Sequence, residues 1–369
     1  MDAAALDGLL GAATPEREES WRYSRNALRA LLQQDFVAAA PPPQLPPEAL
    51  ALIDALPGAV RLVFVNGVLA PLHSDMRIAA VFGNDSGVIE LPSDLPQALH
   101  VAYLSVPGAV PSHWQTSHTI RLAQGKACVV EHHLASAGAE TFAAPASEIL
   151  LGSGAQLDLV CISELPASAT LYRRQRVRVD VGAQFVCTHA LAGGRLQRFD
   201  LDCTLGQARA RCKQRGVFAL RGREHLDVQL DVRHAAVDTA SDVLWRGVAD
   251  QRARGILRGA ITVAAGADGA DAQLQTKNVL LSPHAEIDAQ PVLEIHADEV
   301  KASHGATVGQ LDERALFYLR SRGIDATTAR AMLIAGFCRE AFGAVEDDAL
   351  QARLDAWLTR HLPLAGADA

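Results

Sequence analysis

Between about residues 100 and 305 apolar and polar positions alternate with a period of two. In the run HLDVQLDVRH, Leu226, Val228, Leu230 and Val232 alternate with Asp227, Gln229, Asp231 and Arg233. Successive side chains of a strand point to opposite faces, so each such run predicts a strand with one buried and one solvated face. RVRVDV and FDLDCTL repeat the pattern. The breaks at Gly193-Gly194, Gly222, Gly266 and Gly269 follow one another too closely for the helices of βαβ crossovers, which argues against a doubly wound parallel sheet. A sandwich, a barrel or a β-helix remains. Val181, Leu205 and Val228 give only a loose recurrence of about two dozen residues, so spacing alone does not choose among the three.

The flanks read differently. Residues 1–40 predict helix, with Trp21, Leu28, Leu31 and Leu32 at helical spacing and Glu16, Glu18 and Glu19 early in the segment. Residues 41–47 hold five prolines in seven positions; they favour an extended linker over a ligand for an SH3-type domain. Residues 48–57 predict a further short helix, and strands begin near Arg61 to Val65. After Gly309 three helices are expected. Asp312 caps the first, which stops at Gly323; Asp325 or Thr327 opens the second. The second carries Ala329, Met332, Leu333, Gly336, Phe337 and Ala341 as an apolar stripe, and the third has Leu350, Leu354, Trp357 and Leu358 on one side. Self-packing takes most of these residues, with Trp357 available to a partner protein. The expected division is an N-terminal helical region over 1–57, a strand-rich core over 58–309 and a C-terminal helical region over 310–369.

Composition narrows the function classes. At 369 residues, 49% hydrophobic and 21% charged, the chain can bury a substantial core. A formal charge of -8 gives no pull toward nucleic acid or an anionic membrane surface. Asp2 and Asp7 stand where a secretory signal needs basic residues, and no apolar run reaches the length of a membrane span; a cytoplasmic location is expected. Cys128, Cys161, Cys187, Cys203, Cys212 and Cys338 include no CxxC pair, so buried reduced thiols are expected, with no ready-made thiolate cage.

Motifs for common chemistries are missing. LGSGAQLD lacks the third glycine of a dinucleotide fingerprint, and no GxxxxGK[ST], GxSxG or HExxH occurs. His132 and His133 fall on opposite faces of a strand and cannot chelate as a pair, and PSHWQTSH, with His113 and His118, reads as a loop. These four histidines are expected to be ordinary polar positions. The segment VKASHGATVG stands apart. As a strand it places Val300, Ala302, His304, Ala306 and Val308 on one face, with His304 the one ionisable group among small neighbours. Such a histidine is either satisfied in a core or aimed at something outside the chain.

The block from Lys277 to Phe337, containing SHGAT, FYLRSRGI and LIAGF in that order, resembles the C-terminal core of the SufB/SufD family of iron–sulfur cluster assembly proteins. The resemblance implies a right-handed parallel β-helix flanked by N- and C-terminal helical regions. Where the SufB scaffold carries a cysteine and a glutamate, this chain has Thr276 and Gly305, neither able to replace a thiolate or carboxylate ligand. It therefore resembles the SufD branch. Many members of that branch have a cysteine two positions before the histidine, where this chain has Ala302, so no role of that thiol carries over.

The resemblance also implies a non-catalytic assembly subunit. It would pair with a SufB-like scaffold so that a transient cluster is built at their interface, facing His304. Ala302, Ser303, Gly305, Ala306 and Thr307 would support that interface. A separate ABC-type ATPase, SufC, would dock on the C-terminal helices, around Tyr318, Arg320, Arg322, Gly323, Gly336 and Phe337. The same resemblance allows a homodimer in the absence of the scaffold, and delivery of iron, sulfur or an electron carrier such as reduced flavin within the complex. The alternatives from other classes are a β-helix enzyme acting on polysaccharide and a structural homo-oligomer joined through strand edges.

Overall fold

A computed structural model describes residues 21–53, 60–75, 87–93, 95 and 97–362. Glu16, Glu18, Glu19, Asp2 and Asp7 lie outside them. The early strands are β1 (Val37–Ala38), β2 (Val60–Val65), β3 (Val68–Leu69), β4 (Val88–Leu91), β5 (Leu99–Ser105), β6 (Ser112–Leu122), β7 (Lys126–Ala135) and β8 (Thr141–Leu151). The later ones are β9 (Gln156–Leu165), β10 (Thr170–Val179), β11 (Gln184–Gly193), β12 (Leu196–Leu205), β13 (Arg211–Leu220), β14 (His225–His234) and β15 (Ala240–Ala249). The series closes with β16 (Arg254–Val263), β17 (Asp271–Leu280), β18 (Glu286–Ile295) and β19 (Lys301–Gly309). The helices are α1 (Arg25–Leu32), α2 (Pro47–Leu52), α3 (Glu313–Ser321), α4 (Ala326–Phe342) and α5 (Asp348–His361).

From β5 onward the chain alternates between two facing sheets. Even-numbered strands from β6 to β18 pair in order in one sheet, and odd-numbered strands from β5 to β19 in the other. Every one of these pairings is parallel. This is the parallel β-helix. Its repeat is longer than two dozen residues: Val177, Cys203, Val232, Ile261 and Leu293 stand in one column, 26 to 32 residues apart. Val181 lies in a turn, not in that column.

Alternation explains the core. Leu226, Val228, Leu230 and Val232 of β14 all point inward and are at most 1% exposed. PSHWQTSH is not a loop but most of β6, in register with β8 from Ser112↔Thr141 to Leu122↔Leu151. Glycines set close approaches between turns. A Cβ on Gly193, at φ +80°, would lie 1.9 Å from the Leu165 carbonyl oxygen, and one on Gly216 would lie 2.3 Å from the Trp245 ring, so Gly216 makes room for that indole.

Helices cover the outer faces. Trp21 and Leu28 are buried against Phe142, Tyr172 and Leu196; the Arg198 guanidinium lies 4.2 Å from the Trp21 ring centre, a cation–π contact. At the other end, Asp312, Asp325 and Asp347 cap α3, α4 and α5 by accepting backbone N–H bonds. The buried face of α4 is Ala329, Ile334, Cys338, Ala341 and Phe342. The expected stripe is therefore corrected: Met332 is 50% exposed and Gly336 is exposed. Trp357 is 1% exposed in contact with α4 and the odd-numbered sheet, so it is not shared with a partner. No helix among the described residues is long and apolar enough to cross a membrane.

Candidate functional site

Register places the odd-numbered sheet's inward residues in columns. One runs Leu99, Val129, Leu159, Cys187, Gln214, Val243, Leu274 and His304. His304 thus occupies a core-facing position, one strand beyond Leu274, which is 5% exposed. No strand among the described residues pairs beyond β19 or β18, so no further described strand covers the last turn, and His304 is exposed. The interior column reaches the surface there. Ala302 is half-buried against the core, while Ser303, Gly305, Ala306 and Thr307 are exposed. A Cβ on Gly305 would meet no atom within 4 Å. Behind this strand Asn278 donates 3.1 Å bonds to the Thr276 hydroxyl and the Thr307 carbonyl, fixing β19 to β17.

The two final edges differ. β18 carries Pro291 at mid-strand and Glu294 near its end, features that discourage pairing. In β19 only Lys301 at the start bears a full charge, and the remaining positions are small or apolar, with Val308 44% exposed. An edge strand of nine residues with unpaired backbone groups and no blunting charge beyond its first residue is a template for another chain.

The proposed helical contact residues separate into two groups. Tyr318, Arg320, Arg322, Gly323 and Gly336 are exposed, beside Phe317 at 73% and Met332 at 50% exposure. Arg322 donates a 2.8 Å bond to the Tyr318 hydroxyl and stacks over its ring. Phe337 is instead partly buried against the sheet, its ring 5.5 Å from the buried Arg246 guanidinium. Arg246 in turn holds Glu340 of α4 at 2.7 Å.

Sequence reasoning missed an interior polar network. Glu131 and His133 share the inward face of β7, and Arg173 donates to both oxygens of Glu131, its Nε at 2.7 Å from Oε1. His133 Nε2 lies 3.0 Å from the same Oε1, and the His133 ring stacks on Tyr103 at 5.0 Å. Tyr103 and His118 are hydrogen-bonded. Cys187 Sγ and His189 Nε2 are 3.1 Å apart. Burial opposes ionisation of Glu131, but Arg173 and His133 overcome it and hold the carboxyl well below its usual range. Burial pushes the Cys161 thiol up to about 12. The signal was strand parity: Glu131 and His133 are two apart, and Val129 before them is a core residue.

The His132–His133 pair does split between faces, as parity requires, yet neither is an ordinary polar position. His132 is 1% exposed, with Glu164 at 3.1 Å and Arg353 of α5 at 3.1 Å. Glu164 also takes a 2.8 Å bond from His361. These contacts clamp α5 to the sheet. His118 is buried too, and only His113 is partly open.

Arg173 and Glu131 are 0% and 4% exposed, so removing one leaves a buried charge alone. Arg173→Ala is expected to lower stability by about 3–5 kcal/mol. Replacing both, as Glu131→Leu with Arg173→Met, is expected to recover most of that loss. Urea midpoints measure it; equal losses in the single and double variants would contradict the pairing.

Residues 109–337 match the family described as SUF system FeS cluster assembly, SufBD core domain. Iron-sulfur cluster assembly protein SufD of Escherichia coli (strain K12) is 27% identical, with 97% of this chain and 92% of that protein aligned. An iron-sulfur cluster assembly SufBD family protein of Synechocystis sp., slr0076, is 28% identical over 92% of this chain and 85% of its own length. Protein ABCI7, chloroplastic, of Arabidopsis thaliana is 41% identical over 25% of this chain and 20% of its own length. With a parallel solenoid, flanking helices and a family match across most of its strands, the chain belongs to the SufBD family of iron–sulfur cluster assembly proteins and is SufD-like.

Proposed function

We propose that this chain is a non-catalytic subunit that pairs with a SufB-like scaffold through the uncovered end of its solenoid, presenting His304 to a nascent cluster. The cluster is cargo, built and passed on. The observation that carries the reading is the position of His304: an exposed imidazole in the middle of an unblunted edge strand. A neutral imidazole nitrogen is a competent ligand to iron, and an imidazole can also carry a proton. The open space at Gly305 leaves room for a cluster beside the ring. The same edge serves a second copy of this chain when the scaffold is absent.

Phe317, Tyr318 and Met332 are exposed on the two contacting helices α3 and α4, with Arg320 and Arg322 exposed at the end of α3, and together are read as one docking patch. This patch is the proposed dock for an ABC-type ATPase, which supplies the ATP hydrolysis that this chain has no motif for. Co-expression of the full chain with scaffold and ATPase, followed by native mass measurement, tests both contacts. The expected species contains all three proteins, with one ATPase on each solenoid subunit. Phe317→Asp is expected to release the ATPase from this subunit while the two solenoids stay joined. A lone homo-oligomer under these conditions would sink the proposal.

A further inference from the structure

We propose that Glu131, His133 and Cys161 form a buried site for one borderline divalent transition cation, such as zinc or iron(II), inside the solenoid. Each residue offers one ligand atom, and the three atoms lie within 4.8 Å of one another. All three residues are at most 4% exposed. A carboxylate oxygen, an imidazole nitrogen and a thiolate sulfur are the donor set such cations take. Ligand atoms around a tetrahedral ion lie roughly 3.3–3.8 Å apart, so the present spread needs only small side-chain shifts to close. Three protein donors leave one position for an exogenous ligand.

The surroundings fit a charged occupant. Register fixes the set: Glu131 stands directly opposite Cys161 on neighbouring strands, and His133 shares the inward face of Glu131 two positions on. His133 Nδ1 is buried without a hydrogen-bond partner, a group that costs about 1–3 kcal/mol when left so. Arg173 now takes both oxygens of Glu131. Loading requires it to give up one of them, while the other bond keeps the carboxylate oriented, as an outer partner does in other metal sites. A dication balances thiolate and carboxylate, and an anionic exogenous ligand in the fourth position, such as hydroxide, balances the buried Arg173 guanidinium.

This site is separate from the solenoid's end. Cys161 and Ala306 share a column and are five strand steps apart, about 24 Å at roughly 4.8 Å per step. The inference does not rest on the reading of His304, and either can fail alone.

The test is tag-free expression of the full chain in minimal medium supplemented with cobalt(II), followed by metal analysis and absorption spectroscopy under reducing conditions. The expected result is one cobalt per chain with a thiolate-to-cobalt charge-transfer band. Cys161→Ser and His133→Gln each lower the bound cobalt at least tenfold, and Cys338→Ser, at a thiol on the buried face of α4, leaves it unchanged. Protein free of cobalt, or a spectrum without a thiolate band, overturns the proposal even if both site variants fail to fold. So does a band that survives Cys161→Ser.

Discussion

His304→Ala leaves the chain folded and its complex assembled, and takes the yield of assembled cluster to the level seen when this subunit is omitted. The fold is indifferent because His304 is exposed on the last strand, and no hydrogen bond or ion pair ties its ring to the described residues. Surface substitutions of this kind change stability by about 0.5 kcal/mol or less. The chemistry is not indifferent, since alanine supplies neither a ligand nor a proton carrier. His304→Cys, which restores a soft donor, is expected to keep a measurable fraction of the yield, and His304→Gln is not. Iron and sulfide content of the anaerobically purified complex, with its visible absorption, reads the outcome. Unimpaired yield in His304→Ala would remove the assignment.

Acid is expected to unfold the protein between about pH 6 and 5. Burial lowers His100 and His189 to about 3, and His118 and His234 to about 4; for His100 the charges of His132, Arg353 and Arg61 add to burial. His132 and His133 are lowered as well, again chiefly by burial. The unfolded chain takes up these protons near pH 6.5, whereas the folded chain takes them up well below that. Below pH 6.5 the unfolded state therefore binds more protons, and stability falls as pH falls. Each histidine contributes up to about 1.4 kcal/mol per pH unit, so the four with stated values contribute up to about 5.5 kcal/mol per unit. That is large against a total stability of about 5–15 kcal/mol. Glu131 and Glu164, held low in the folded state, add a further loss below about pH 4.5.

Far-UV circular dichroism and urea midpoints across this range check the result. Both ring nitrogens of His100 are buried without partners, so His100→Leu is expected to raise stability and shift the transition to lower pH. A urea midpoint constant from pH 7 to 5 would contradict the account of the interior.

Strand identity was legible wherever one face is apolar, as in β14, because alternation and burial then coincide. β6 was not, because Thr116 and His118 share the inward side with Trp114 and Ile120, so polar residues occupy both faces and the period vanishes. The solenoid repeat was hidden by its turns. Left-handed turn positions are filled by Gly182 and Gly266 in some coils and by Arg209, Asp238 and Gln251 in others, and the coils differ in length. In α4 apolar residues lie all round the helix, so several stripes satisfy helical spacing, and the sheet below selected Ile334 and Cys338 over Met332 and Gly336.

For His304 the sequence supplied half the answer. Parity placed it with Ala302 and Ala306, but its exposure follows from the absence of a further covering coil, which no local pattern records. The pairing of Glu131 with Arg173 spans 42 residues and joins two strands of opposite sheets, beyond the reach of a period-two reading. The resemblance at SHGAT, by contrast, was carried by contiguous residues and pointed at once to the family.

A photo-crosslinking residue at Ala306, beside His304 on the uncovered strand, tests the central claim most directly when the full chain is co-expressed with scaffold and ATPase. The account predicts a covalent adduct with the scaffold subunit from Ala306, and none from the same probe at Leu72, which is 92% exposed beside β2, at the opposite end of the odd-numbered sheet. An intact complex in which Ala306 stays unlinked while Leu72 captures the scaffold would contradict it.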